Sequence, residues 1–379
     1  MENIQMVDLK SQYLRLKKEI DKAIQSVVEN TQFIKGPEVA LFEKELSEYL
    51  SIKHVIGCAN GTDALQLALM ALGLKPGDEV ITTPFSFVSA AETITLLNLT
   101  PVFVDVDPDS FNIDAGLIKN AITNKTKAIV PVHLFGQCAD MEEIIKIANE
   151  FNLYVIEDTA QALGADYIFS DGKKTKAGTN GDIGTTSFFP SKNLGCFGDG
   201  GAIFTNDEPL AVKLRSLANH GMQKRYYYEA IGMNSRLDTI QAAVLRIKLK
   251  QLDQFNVGRQ QAASLYDKGL NDFGCIEIPV RNEYSSHIFN QYTIRLKKGN
   301  NLELQEYLKS YNVPSMIYYP IALHLQESYK TFNYKIGDFT VAESLCNRVI
   351  SLPMHTELRP DQIEFIVEKV KSYFAFKSN

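Results

Sequence analysis

Residues 54–83 read HVIGCANGTDALQLALMALGLKPGDEVITT. Two short apolar runs, HVIGCA (54–59) and DEVITT (78–83), flank TDALQLALMALGL (62–74), whose leucines recur at helical spacing. Run, helix and run together make the repeating unit of a sheet whose parallel strands are joined by crossover helices. The unit recurs downstream. PVFVDV (101–106), KAIVPV (127–132) and LYVIED (153–158) alternate with SFVSAAETITLL (86–97) and DMEEIIKIANEF (140–151). Strands that are apolar throughout, rather than on every second residue, are covered on both faces. The reading is an α/β fold, a mainly parallel sheet between helices. Two further runs, GTTSFF (184–189) and GGAIFT (200–205), follow closely and predict a strand pair with a tight connection.

Upstream, residues 10–30 and 38–50 carry amphipathic helical periodicity, the first helix being expected to pack on the C-terminal part. Downstream, residues 235–270 predict one long helix. A change of pattern follows, with HIFNQYTIRL (287–296) strand-like and NLELQEYLKSY (301–311), TVAESLCNRVI (340–350) and DQIEFIVEKVKSYF (361–374) helical. The expected division is a large unit, 1–254, and a smaller α+β unit, 255–379. The polar tract SDGKKTKAGTNGD (170–182) predicts a mobile surface turn.

The 379 residues carry a formal net charge of -6, which disfavours nucleic acid as a partner, because phosphate backbones are met by positive surfaces. No apolar run approaches the length of a membrane span, and the polar N-terminus lacks the core of a signal peptide. Five dispersed cysteines include no C-x-x-C pair, so neither a disulfide framework nor a zinc site is expected and a cytoplasmic location is the simplest reading. No Walker A motif, G-x-G-x-x-G, H-E-x-x-H or G-x-S-x-G occurs, and no metal is expected.

Ligands of such sheets bind beyond the carboxyl ends of the strands. Four segments there carry chemistry. In ANGTDAL (59–65), Asn60, Gly61 and Thr62 open a helix, where free N–H groups suit either a phosphate or an ordinary cap. In EDTAQALGA (157–165), Asp158 ends an apolar run, as a helix cap, a core ion pair or the partner of a ligand cation. In TTPFSF (82–87), Phe85 and Phe87 serve either as core or as a wall for a flat ring. In TSFFPSKNLGCFGDGGA (186–202), an aromatic pair precedes Lys192 and small or glycine residues crowd in behind it, unlike the setting of a lysine on a wet surface. A phosphate seat, an aromatic wall, a carboxylate and a lysine are the four things pyridoxal phosphate needs.

The segments ANGTDAL, HLFGQCADM (133–141), VIEDTAQALGA (155–165), SFFPSKNLGCFGDGGA (187–202), GMNSRLDTIQAA (232–243) and YYPIALHLQ (318–326) resemble the DegT/DnrJ/EryC1/StrS sugar aminotransferases, over residues 5 to 375. The resemblance implies fold type I, with a seven-stranded sheet in the large domain, and pyridoxal 5'-phosphate as cofactor. It implies Lys192 as the residue that forms the aldimine and shuttles the proton, Asp158 on the pyridine nitrogen and Gln161 at the ring hydroxyl. Gly61, Thr62 and Ser187 would hold the phosphate, and Phe87 would stack on the ring. Asn234 would reach the phosphate of a neighbouring subunit, making a homodimer with shared sites; read alone, it caps a helix beginning at Ser235. Arg236, Tyr319 and His324 would meet the substrate. His133 resembles a family position near the cofactor, and neither it nor Arg225 receives a role.

Family members that dehydrate or deoxygenate sugars have histidine in place of the lysine, so Lys192 favours amino transfer. The blocks are most similar to those of enzymes that aminate C3 of a nucleotide-linked keto sugar, UDP-2-acetamido-2-deoxy-3-keto-glucuronate first. The dTDP-3-keto-6-deoxyhexoses and 4-keto sugars are the alternatives. L-Glutamate would give the amino group and leave as 2-oxoglutarate, supplying amino sugars for lipopolysaccharide or another polysaccharide. A non-catalytic regulatory protein, and a hydrolase without a visible nucleophile elbow, are the readings from other classes.

Overall fold

The computed structural model of the chain describes residues 4–377. Seven strands form the main sheet: β1 (His54–Cys58), β2 (Glu79–Thr82), β3 (Thr100–Phe103), β4 (Thr126–Ile129), β5 (Tyr154–Asp158), β6 (Ile183–Ser187) and β7 (Gly201–Thr205). Their spatial order is β1-β7-β6-β5-β4-β2-β3. Neighbours from β6 to β3 run parallel, whereas β7 lies antiparallel to both β1 and β6. All seven expected runs form strands. The connection from β6 to β7 is the segment that carries Lys192.

Helices α1 (Leu9–Asn30), α2 (Pro37–Leu50), α3 (Gly61–Leu72), α4 (Ser89–Leu96), α5 (Ala115–Ala121), α6 (Met141–Phe151), α7 (Glu208–Leu217) and α8 (Thr239–Leu249) surround the sheet. The strands bury both faces. Val80, Ala128 and Ile156 join the core under α3 and α4, while Ile81, Ile129 and Val155 join a second core under α5 and α6. That double cover is why the strands read as apolar throughout.

The chain from 235 to 270 differs from the expected single helix. It starts only at Thr239 and breaks at Lys250–Gln251, giving α8 and then α9 (Leu252–Leu270). Residue 255 thus falls inside α9. The C-terminal part packs α9, α10 (Asn301–Ser310), α11 (Thr340–Cys346) and α12 (Pro360–Lys377) around a small antiparallel sheet of β8 (Ile276–Glu277), β9 (Tyr292–Leu296) and β10 (Val349–Leu352). β10 begins within the last two residues, 349–350, of a stretch expected to be helical. Its four residues are all buried, and it closes the sheet beside β9. α1 packs on α8 and sends Arg15 to Glu357 of the C-terminal part at 2.9 Å.

The tract 170–182 is less loose than its composition predicts. Asp166–Ile168 and Lys174–Lys176 form a two-stranded ribbon, and the residues after it are pinned to a buried carboxylate described below. None of the helices among the described residues is long and apolar enough to cross a membrane.

Candidate active site

The carboxyl ends of β1, β2, β5 and β6 open on one side of the sheet, and the candidate residues follow them. Asn60 caps α3, its Oδ1 accepting the Asp63 N–H at 2.8 Å. The N–H groups of Gly61 and Thr62, at the first helical positions, have no partner within the helix. Gly61 lies hard against the end of β6: a Cβ built there would stand 2.7 Å from the Ser187 Cβ. Only glycine allows that approach, which brings two amides and the Ser187 hydroxyl to one place. Thr62 Oγ1 and Ser89 Oγ are 2.8 Å apart, so the first residue of α4 joins the cluster. Sequence reasoning missed Ser89. Its position at the start of a predicted helix was the available signal.

Asp158 is buried, and its Oδ1 accepts the Ala160 N–H at 2.9 Å. Burial pushes its pKa up; that amide, Lys192 and His133 work against the shift. Lys192 is partly buried and makes no ion pair or side-chain hydrogen bond among the described residues. Burial lowers its pKa to about 8, opposed only by Asp158. A lysine amine and a carboxylate, each made less willing to carry charge, thus face the same space without neutralising one another.

Gln161 is held at both ends of its amide. Oε1 accepts the Phe135 N–H at 2.7 Å and Nε2 donates to the Tyr319 hydroxyl at 3.1 Å. Tyr319 therefore stands beside Gln161. The two phenylalanines divide cleanly. Phe85 is 0% exposed and packs edge-on to Tyr319, so it is core, whereas Phe87 is 59% exposed at the mouth.

Other candidates lie further out. His324 is 1% exposed, with Nε2 on Glu343 Oε1 at 3.1 Å and its ring edge-on to Phe339. Its neighbour Leu323 donates its N–H to the Pro84 carbonyl at 2.8 Å, which ties this turn to the β2 loop. Asn234 is exposed, in an extended segment that bridges Asn219. It does not cap a helix at Ser235, because α8 starts at Thr239 behind Asp238. Ser235 instead turns inward, its Oγ accepting the Ala59 N–H at 3.1 Å, so Asn234 is anchored next to the α3 cap. Arg236 lines a cleft of about 240 Å³ with Lys35, Glu43 and Arg215. Arg215 pairs with Glu43 at 2.8 Å, whereas Lys35 and Arg236 have no carboxylate partner among the described residues. Arg225 is exposed and donates to the Tyr226 hydroxyl at 3.1 Å.

His133 does not join the site as a free base. Its Nδ1 accepts the Ala139 N–H at 3.0 Å and its Nε2 lies 2.9 Å from Glu157 Oε2. That fixes the Nε2–H tautomer. Glu157 is fully buried yet accepts the N–H groups of Gly178, Asn180 and Gly181 as well, at 2.9, 2.6 and 2.6 Å. Burial alone would push its carboxyl up; His133 and the amides outweigh it and hold the pKa down. Glu157→Ala is expected to destabilise the protein by about 3–5 kcal/mol, because it strands these donors in the interior. Denaturant unfolding of the apoprotein measures it; a loss under 1 kcal/mol would remove this account of the loop.

The chain matches the profile of the DegT/DnrJ/EryC1/StrS aminotransferase family over residues 14–371. It is 45% identical over 364 residues to a UDP-2-acetamido-2-deoxy-3-oxo-D-glucuronate aminotransferase of Pseudomonas aeruginosa, covering 96% of this chain and 98% of that one. It is also 45% identical over 374 residues to a pleiotropic regulatory protein of Geobacillus stearothermophilus, covering 98% and 99%. Among solved structures, S. venezuelae DesV in complex with a ketimine intermediate superposes with a TM-score of 0.94 at 37% identity, covering 98% of this chain and 99% of that one.

Proposed function

The chain belongs to the DegT/DnrJ/EryC1/StrS aminotransferase family, and from that premise we propose that it is a pyridoxal-phosphate-dependent aminotransferase acting on a nucleotide-linked keto sugar. The observation that carries this is the Lys192 amine facing the Asp158 carboxylate, with the Gly61–Thr62–Ser187 cluster beside them. The first sugar to try is UDP-2-acetamido-2-deoxy-3-keto-glucuronate, aminated at C3 with L-glutamate as donor, as the Pseudomonas aeruginosa relative's name favours. The intact lysine and carboxylate speak against a purely regulatory role, whatever the name of the Geobacillus relative.

The residues present fit the cofactor. The free amides of Gly61 and Thr62 and the Ser187 hydroxyl would hold its phosphate, in a seat that a Cβ at residue 61 would fill. Asp158 would keep a proton on the ring nitrogen, Gln161 would donate to the ring hydroxyl, and exposed Phe87 would cover the ring. When bound, pyridoxal phosphate supplies an electron sink for the carbon that loses its proton. Lys192 would hold the cofactor through its amine and would serve to move the proton at the reacting carbon. Asn234, Arg236 and Lys35 are laid open on one edge; in a homodimer we assign Asn234 to the neighbouring copy's phosphate and Arg236 to an anionic part of its substrate. Tyr319, and the turn that holds His324, would bound the sugar. We take 1–254 and 255–379 as the two units between which the substrate sits.

Lys192 makes one consequence measurable. With a pKa of about 8, about a quarter of the amine is neutral at pH 7.5, against roughly a thousandth for an ordinary lysine. Capture of pyridoxal phosphate by the apoenzyme is expected to quicken as pH rises, with its midpoint near 8. A midpoint near the ordinary lysine value would remove the buried-amine account.

The test of the function is a half-reaction. Enzyme first converted to its amino form by L-glutamate is mixed with candidate nucleotide-linked keto sugars, and the return of the lysine-bound absorbance is followed. Recovery is expected with the UDP-linked 3-keto-glucuronate. Silence with every keto sugar offered would overturn the reading.

A further inference from the structure

Asn193 follows Lys192 in the chain, and its side chain is fully engaged away from the amine. Its Nδ2 donates to Asn256 Oδ1 at 2.6 Å and to the Ile288 carbonyl at 3.2 Å, and its Oδ1 accepts from Asn290 Nδ2 at 2.8 Å. All three asparagines are buried. Asn256 lies on α9, and Ile288 to Asn290 form the approach to β9, so these partners come from the C-terminal part of the chain.

That approach is itself braced. Arg259, one turn along α9 from Asn256, donates through Nη1 to the carbonyls of Phe289, Asn290 and Met354 at 3.0, 3.1 and 3.2 Å. Arg259 is buried and has no carboxylate partner among the described residues. On its other side the segment is fixed by the Ile288 N–H, which donates to the Gly136 carbonyl at 2.8 Å. Gly136 follows Phe135, whose N–H orients Gln161. Lys192 and Gln161 thus hang from the same three residues, 288–290.

We propose that Asn193 is a positioning residue: through Asn256, Asn290 and the Arg259 brace behind them, the C-terminal part of the chain sets where the Lys192 amine stands. This rests on the reading of Lys192 as the cofactor-binding amine. A buried amide with all its bonds made has one orientation, and removing a partner leaves donors stranded. The backbone that carries Lys192 is therefore tethered to residues 256, 288 and 290, and an error of about 1 Å at a reacting group can cost about 100-fold in rate.

The test compares wild type with Asn193→Ala, Asn290→Ala and the double variant. Three quantities are read: the rate of pyridoxal phosphate capture, its pH midpoint, and the melting temperature of the apoprotein. The charged group facing Lys192 is Asp158. Asn193→Ala is expected to slow capture by about tenfold or more and to move the midpoint from near 8 toward the ordinary lysine value, as the amine leaves its buried place beside Asp158. The double variant should be no slower than the worse single one, because both remove the same link. Unchanged capture rate and midpoint, with only a lower melting temperature, would make Asn193 structural and end the proposal, as would additive effects. Should Asn193→Ala not fold, Asn290→Ala reads the same bond from its other end and decides alone. If borohydride fails to fix the cofactor on Lys192 of the wild-type enzyme, it is the functional reading that falls.

Discussion

Lys192→Ala is expected to lose at least about 10³-fold in amino transfer, since on the proposed roles it would remove both the attachment of the cofactor and the proton carrier. Its use goes beyond a dead enzyme. Asn234→Asp would place a carboxylate where, in the proposed homodimer, a neighbour's phosphate would be held, and like charges in a partly buried site repel strongly. Each variant alone should form nearly inactive homodimers. A mixed dimer should hold one site with both defects and one with neither. Free exchange makes about half the dimers mixed, each with one working site, so about a quarter of wild-type activity should return. Heterodimers seen by mass spectrometry with no recovered activity would confine Asn234 to its own chain's site.

The second large effect concerns Asp158. Asp158→Asn keeps the volume and an acceptor for the Ala160 N–H, so fold and cofactor binding should survive. What it loses is the charge that would hold a proton on the ring nitrogen. Burial already makes the carboxylate costly to ionise, so a cation in front of it is its natural relief. The half-reaction with L-glutamate should slow by about 100-fold or more. Turnover within a few-fold of wild type would leave Asp158 a structural residue.

The parts legible in the sequence are those where local pattern and global role agree. The apolar runs are strands because the sheet is covered on both faces. Asn60 and the glycine behind it announce a helix start, and Lys192 stands out between an aromatic pair and a run of glycines. What the pattern could not carry is long-range. Ser235 and Asp238 are both fitting residue types for a helix start, and the local pattern does not choose between them; Ser235 is taken out of the helix as its hydroxyl accepts the Ala59 N–H, far back in the chain. The break at Lys250 and the strand Val349–Leu352 are likewise set by tertiary packing. Tract 170–182 looks loose because its anchor, Glu157, lies within a strand and reads as sheet. His133 illustrates the same limit. Its residue type fits a base near a cofactor, yet both ring nitrogens are spoken for by Glu157 and Ala139.

The antiparallel strand β7 has a consequence for how the protein comes into being. β1 has one neighbour in the sheet, β7, and their register joins His54 to Thr205 and Cys58 to Gly201. During synthesis, β1 and the Asn60–Thr62 turn after it therefore emerge long before the strand that fixes them. Contacts so distant in sequence form slowly, and an unpaired apolar strand is an aggregation hazard while it waits. The lysine waits longer still, since the Asn193 amide finds Asn290 only after that residue is made. Chains released before residue 201 would thus expose a strand edge, and those released before residue 290 would lack the Asn290 amide on Asn193. Ribosome-bound chains of increasing length, probed by protease, should stay cleavable around residues 54–62 until β7 has cleared the exit tunnel.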